Sequence, residues 1–150
     1  MSNMDEVLNE TQKKTDYAEQ MKARRDRCYA MIDQAALDAV STVARLQQFL
    51  AVQSRFERYS LNNNLLILAQ KPDATRIRDY EGWEKESKQV KKGAKSFEIL
   101  EPHPYQTADG SQQIGYQPKR MFDNADLTEP NPKFILTKMT MTTLTRFGEV

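Results

Sequence analysis

The sequence predicts an α+β fold in which N-terminal helices pack on a small antiparallel sheet built around a hairpin near residues 95–122. Three observations carry that reading. Residues 5–70 contain neither Gly nor Pro, the residues that most disfavour a helix interior. All five Gly and all six Pro lie from Pro72 onward, the texture of strands and turns. Within that second half, "KSFEILEPHPY" and "QQIGYQPKRMF" read as extended segments separated by "TADGS", whose Asp-Gly pair is a strong short signal for a hairpin.

Taken in order, the first stretch, "NETQKKTDYAEQMKARRDRCYAMIDQ", is highly charged and sparse in apolar residues. Residues 1–35 therefore read as a polar helical or partly disordered arm, and 36–150 as a single α+β domain. Ala36, Ala39, Val43, Leu46 and Leu50 then recur at steps of three and four, the stripe of an amphipathic helix, and Phe49, Val52 and Phe56 extend its apolar side. Ser60 is placed to cap a short helix ending near Gln70, because Pro72 cannot continue it and biases Lys71 toward an extended shape. Gly93 reads as a turn residue leading into the first strand of the hairpin rather than as a phosphate contact. Beyond the hairpin "DNADLTEPNP" reads as a loop. The tail "KFILTKMTMTTLTRFGEV" is Thr-rich and β-branched, which suits a strand, while its Met and Leu leave a helix open.

A chain of 150 residues, 39% hydrophobic, is long enough for one core. Its longest aliphatic run, Leu65 to Ala69, is far too short to cross a bilayer. The start, "MSNMDEVLNETQKK", lacks the basic and apolar regions of a signal peptide, so a cytoplasmic protein with no membrane partner is expected. The single Cys28 cannot form an internal disulfide, and it reads as a small buried or idle thiol with no function.

Catalysis is narrowed by inventory. The one histidine, His103, stands between two prolines, so no HExxH zinc helix and no Ser-His-Asp triad can be assembled. No GxxxxGK[ST] or GxGxxG is present. Asp73 with Glu86 and Lys88 has the letters of a divalent-metal nuclease motif, but "EGWEKESK" lacks the alternation of the strand that motif needs. The match reads as chance, and no catalytic residue, metal or cofactor is assigned.

Net charge is only +1, yet it is unevenly spread. Residues 1–40 hold six Lys/Arg against eight Asp/Glu, whereas 85–95 hold five Lys against one Glu. Local fields decide where a polyanion settles, although a lysine run is most often a solvated surface. Nucleic acids ask for cations beside flat side chains. Arg55 and Arg58 are one helical turn apart beside Phe56 and Tyr59, followed by Asn62, Asn63 and Asn64. Tyr80 and Trp83 lie just upstream of Lys85, Lys88, Lys91, Lys92 and Lys95. Core packing is the competing reading for Phe56, Tyr80 and Trp83.

The segment "YSLNNNLLILAQKPDATRIRDYEGWEKESKQVKKGAKSFEILEP" resembles the N-terminal domain of ArdC-type antirestriction proteins and of related LtrC-like proteins of conjugative elements. Tyr59, Ser60, Asn63, Leu66, Ile67, Gln70, Pro72, Ala74, Trp83, Val90, Lys91, Lys92, Gly93, Lys95, Ile99, Pro102, Phe122 and Asp123 carry the resemblance, which covers about residues 40–128. The chain departs from the family pattern at Lys88, where Arg is usual, at Ala94, where Glu is usual, and at Ser87 and Ser96, where Gly is usual. Lys keeps the charge of Arg but loses its fork and flat face.

The resemblance implies sequence-independent single-stranded DNA binding in a cytoplasmic protein of a mobile element, protecting incoming DNA from restriction during conjugation. In the namesake a zinc metallopeptidase domain follows. The 150 residues here carry none, so the chain reads as a piece of a longer protein or a stand-alone binding module. The expected site is a positive groove of Arg55, Arg58, Lys85, Lys88, Lys91, Lys92 and Lys95, with Tyr59, Tyr80 and Trp83 as stacking surfaces and Asn62, Asn63 and Asn64 as polar liners. The competing reading is a module that binds a restriction or conjugation protein.

Overall fold

A computed structural model describes residues 2–128, and hydroxyl caps divide the Gly- and Pro-free half into three helices: α1 (Ser2–Ala39), α2 (Val43–Arg55) and α3 (Leu61–Gln70). Between α1 and α2, Ser41 Oγ donates to the Asp38 carbonyl at 2.6 Å and Thr42 Oγ1 accepts from the Arg45 N–H at 3.1 Å. Such local bonds offer the main chain an alternative to the helix. The expected continuous stripe is therefore broken and lies on the wrong face. Val43, Leu46 and Leu50 are exposed, whereas Phe49, Val52 and Phe56 are buried. Helical spacing identifies a helix, but α2 carries two apolar faces and only packing chooses between them.

Residues 3–20 of α1 are exposed on every side. Cys28, Ile32, Ala35 and Ala39 are buried, so the core begins within α1, upstream of the boundary drawn at residue 35. Cys28 is fully buried; burial first, then the nearby Glu98 carboxylate, pushes its thiol up to about 11 and keeps it protonated. Helix α3 begins as its sequence dictates, with Ser60 Oγ accepting the Asn63 N–H at 3.2 Å, and Lys71 beyond its end leaves the helical region at φ −150 and ψ 70, short of the extended shape expected.

The sheet has the order β1-β3-β2, with β1 at Ile77–Arg78, β2 at Phe97–Gln106 and β3 at Gln112–Asp123. Strands β2 and β3 form the expected hairpin, in register from Phe97↔Met121 to Gln106↔Gln112. Its turn rests on Gly110 at φ +85 and on Asp109, which accepts from the Ser111 N–H and hydroxyl at 3.0 and 2.6 Å. These donors hold the Asp109 carboxyl down at about 2. A further short helix, α4 (Tyr80–Lys85), follows β1, and a 3-10 turn, Asn124–Asp126, follows β3. The tail at 133–150, read as a strand with a helix left open, lies outside the described residues.

Alternation at the base of β2 feeds two cores. Leu100 joins Cys28, Ile32, Phe49, Leu65 and Leu66, while Phe97, Ile99 and Met121 join Val52, Phe56, Ile67, Ala74 and Ile77. Helix α3 also seals the free edge of β2. Asn63 donates to the Leu100 carbonyl and accepts its N–H, both at 2.8 Å, and Gln70 does the same for Glu98 at 2.8 and 2.9 Å. The next outward N–H positions are residues 102 and 104, and both are Pro, so neither offers an unpaired donor on that edge. Among the described residues no helix is long and apolar enough to cross a membrane.

Candidate nucleic-acid interface

Helix α4 is held at its start by Asp79, whose carboxylate accepts the Gly82 N–H at 2.8 Å. A Cβ at position 82 would meet that oxygen at 2.6 Å, so a side chain there would displace the Asp79 cap. The helix ends in a Schellman motif: Lys88 N–H bonds the Trp83 carbonyl at 2.9 Å and Ser87 N–H bonds that of Glu84 at 2.8 Å. Ser87 supplies the left-handed residue at φ +63, a position Gly fills most easily.

This turn returns Lys88 over the Trp83 ring, with Nζ 5.6 Å from the ring centroid; Arg76 Cζ lies at the same distance. Trp83 is 0% exposed, and its Nε1 donates to the Phe122 carbonyl at 3.0 Å. The expected stacking role of Trp83 is therefore corrected. The indole has no open face and instead seats two cations at the surface.

Asn63 and Asn64 are corrected as well. Both are buried, Asn63 on the β2 edge and Asn64 with its amide donating to the Phe56 carbonyl at 3.3 Å. Only Asn62 of the three is exposed. Tyr59 is half-buried, edge-on to Phe56 at 5.8 Å; burial pushes its phenol up against the opposing pull of Arg78 and Lys119. Tyr80 is 49% exposed and edge-on to Phe122, which leaves ring surface open to solvent.

The cations fall into two classes. Lys71, Arg76, Arg78 and Lys119 are paired: Lys71 with Asp126 at 3.6 Å, Arg76 and Arg78 with Glu86 at 2.6 and 2.7 Å, and Lys119 with Asp79 and Glu101 at 3.3 and 3.0 Å. Arg55, Arg58, Lys85, Lys88, Lys91, Lys92 and Lys95 have no carboxylate within 4.0 Å among the described residues. All but the half-buried Lys88 are exposed.

Much of the lysine loop is pinned. Val90 bridges Leu127, Lys91 N–H bonds the Asp126 carbonyl at 2.8 Å, and Thr128 N–H bonds that of Gln89 at 2.8 Å. Gly93 at φ +83 reverses the chain, with Ala94 N–H on the Lys91 carbonyl at 3.1 Å. The end of α2 is tied to the same region, since Arg55 donates to the Pro72 carbonyl beside Lys71 and Lys71 pairs with Asp126. Arg58 and Lys85 have no bond that ties them to this loop.

Sequence reading missed Arg76, Arg78 and Lys119. The alternation "RIR" around buried Ile77 was the one local signal for the first two. Asp123 was also missed as an anchor: it accepts the N–H groups of Thr75, Arg76 and Ala125 at 3.0, 3.1 and 3.1 Å. Burial alone would raise its carboxyl, but these donors outweigh burial and hold it below the usual range. Among the described residues no group of three or more His, Cys, Asp or Glu is placed to hold a metal ion.

The family model for the N-terminal domain of the anti-restriction factor ArdC matches residues 19–131. The chain belongs to this family. The ArdC N-terminal domain match takes in α1 from Glu19 and every residue of the candidate interface, leaving the start of the exposed part of α1 outside it. No curated protein and no solved structure matches the chain.

Proposed function

We propose that this ArdC N-terminal domain binds single-stranded DNA without sequence preference, as a module of a mobile-element protein that acts in conjugation or antirestriction. The observation that supports the reading is the division of the cations. Around the site Lys71, Arg76, Arg78 and Lys119 are matched by carboxylates, whereas the seven at Arg55, Arg58 and the Lys85–Lys95 segment have none within 4.0 Å among the described residues and are mostly solvent-facing. Uncompensated cations on a pinned loop suit phosphates better than they suit folding, because surface pairs add little to stability. Five of the seven are lysines, point charges without oriented forks that attract any phosphate chain alike, which fits binding independent of sequence. Tyr80, on the helix that leads into the lysine loop, offers an open ring, and Trp83 contributes by holding Lys88 and Arg76.

Fluorescence polarisation with a labelled poly-dT oligonucleotide over a salt series tests this. If about four phosphates are neutralised, log K against log salt falls with a slope of about −3, at roughly −0.7 per phosphate for single strands. A flat salt response, or no binding at low salt, refutes the reading.

A further inference from the structure

The burial that fixes the hairpin ends at Glu101, yet the ladder continues to Gln106↔Gln112 as a two-stranded ribbon outside the core. A bare ribbon is only marginally stable, and here it is held by the Asp109 turn, by Tyr105 Oη donating to Gln113 at 2.9 Å, and by edge prolines. From Pro102 to Gln117 its one charged residue is Asp109 at the tip. Such a surface cannot attract phosphates.

Directly paired residues share a face of the ladder. One face carries, in rows, Lys119 opposite Ile99, Gln117 opposite Glu101, Gly115 opposite His103, and Gln113 opposite Tyr105. Lys119 lies near Tyr59 and pairs with Asp79 and Glu101, and from it this face runs outward for six residues of β3, about 20 Å. Gly115 makes room on it. A Cβ there would stand 3.2 Å from Tyr105 Cε1, so the ring lies over the glycine while the residue stays 46% exposed. The opposite face carries Tyr116 and Ile114.

The geometry points to Tyr105 as a base-stacking platform, flanked by the Gln113 and Gln117 amides, for unpaired bases of a strand that continues, several nucleotides further on, to the lysine loop. This inference rests on the single-stranded DNA reading proposed above. An open, uncharged ring backed by glycine and flanked by amides is a surface on which an unpaired base, itself uncharged, stacks. Covering Gly115 is a purely structural role that the same ring fills, so the test must separate the two.

Polarisation with poly-dT and with an abasic oligonucleotide of equal length separates them. Tyr105→Ala is expected to weaken poly-dT binding by about 5-fold to 150-fold, the range for losing one stacked base, with the salt slope unchanged. Tyr105→Phe, which keeps the ring and loses the Gln113 bond, and Tyr116→Ala on the opposite face are expected to bind as the wild type does. Against the abasic strand, Tyr105→Ala and wild type are expected to bind equally. Equal poly-dT affinity of Tyr105→Ala and wild type overturns the inference and leaves the DNA-binding reading standing. Equal losses in Tyr105→Ala and Tyr116→Ala also overturn it, by showing only that the ribbon was weakened. Absence of any salt-dependent binding by the wild type refutes the underlying reading as well.

Discussion

Replacing Asn63 separates its place in the fold from a place in the binding surface. The side chain is buried and closes a two-bond ring with the Leu100 main chain, 37 residues away, at 2.8 Å in each direction. Asn63→Ala removes both partners, leaving the Leu100 N–H and carbonyl facing a small apolar gap on a sheet edge. Orphaning a buried polar group costs about 1–3 kcal/mol, so two together cost roughly 2–6 kcal/mol. The position is 9% exposed, close enough to the surface for water to recover part of that, and about 2–4 kcal/mol remains. With a urea m-value of about 2 kcal/mol/M, the middle of the usual range, the unfolding midpoint drops by about 1–2 M. Asn62→Ala, one residue earlier and exposed, should stay within about 0.5 kcal/mol of wild type. Oligonucleotide affinity, measured well below the midpoint, should be unchanged for Asn63→Ala. A variant of wild-type stability with weakened DNA binding would return Asn63 to the surface role that its sequence suggested and refute the edge-sealing role.

Ser87→Gly should stabilise the protein by about 0.5–1 kcal/mol, since it relieves a left-handed residue at φ +63 at some cost in unfolded-state entropy; a melting series checks the sign. Gly93→Ala, at φ +83 with open space around the added Cβ, should cost about 1–2 kcal/mol while leaving the salt slope of oligonucleotide binding unchanged. For Asp123, a depressed folded-state pKa means stability that is full above the unfolded value of about 4 and is lost as pH falls through the folded value. Wild type should therefore lose stability on acidification below about pH 4, and Asp123→Asn, weaker at pH 7, should show a flatter acid limb in urea titrations. The triple change Lys91→Gln, Lys92→Gln and Lys95→Gln should leave the melting midpoint nearly unchanged and flatten the salt slope by about 2, at roughly 0.7 for each phosphate that is no longer neutralised.

The elements that could be read from sequence are those whose signals are local. Ser60 and Pro72 bracket α3 within one short window, and Asp109-Gly110 fixes the hairpin with its own side-chain bonds. The elements that could not be read depend on partners far along the chain. Leu46 and Phe49 are equally apolar by composition, and only the packing of α1 and α3 decides that Phe49 is inside. Helix α4 is six residues long, too short for periodicity to register. Trp83 looked like a stacking surface because it precedes lysines. Its burial is set by Phe122, 39 residues away, and by cations on either side of it in sequence.

The residues that carry the family resemblance divide on physical grounds. Ser60 caps α3, Asn63 seals the β2 edge with Gln70, and Leu66, Ile67, Ala74 and Ile99 fill the two cores. Gly93 supplies a left-handed turn, Val90 bridges Leu127, Trp83 anchors on Phe122, and Asp123 gathers the main-chain donors of the 75–76 and 124–125 segments. Each of these has a partner that explains it without any ligand. Lys92 and Lys95 do not: both are exposed, with no acidic partner among the described residues, and Lys91 reaches only the Ala125 carbonyl, at 3.4 Å. Like charges crowded on one short loop repel, so a fold selected for stability alone gains nothing by keeping them together. A polyanion would offset that cost, and this asymmetry is why the proposed DNA contact is assigned to the lysine loop rather than to the asparagines or the tryptophan beside it.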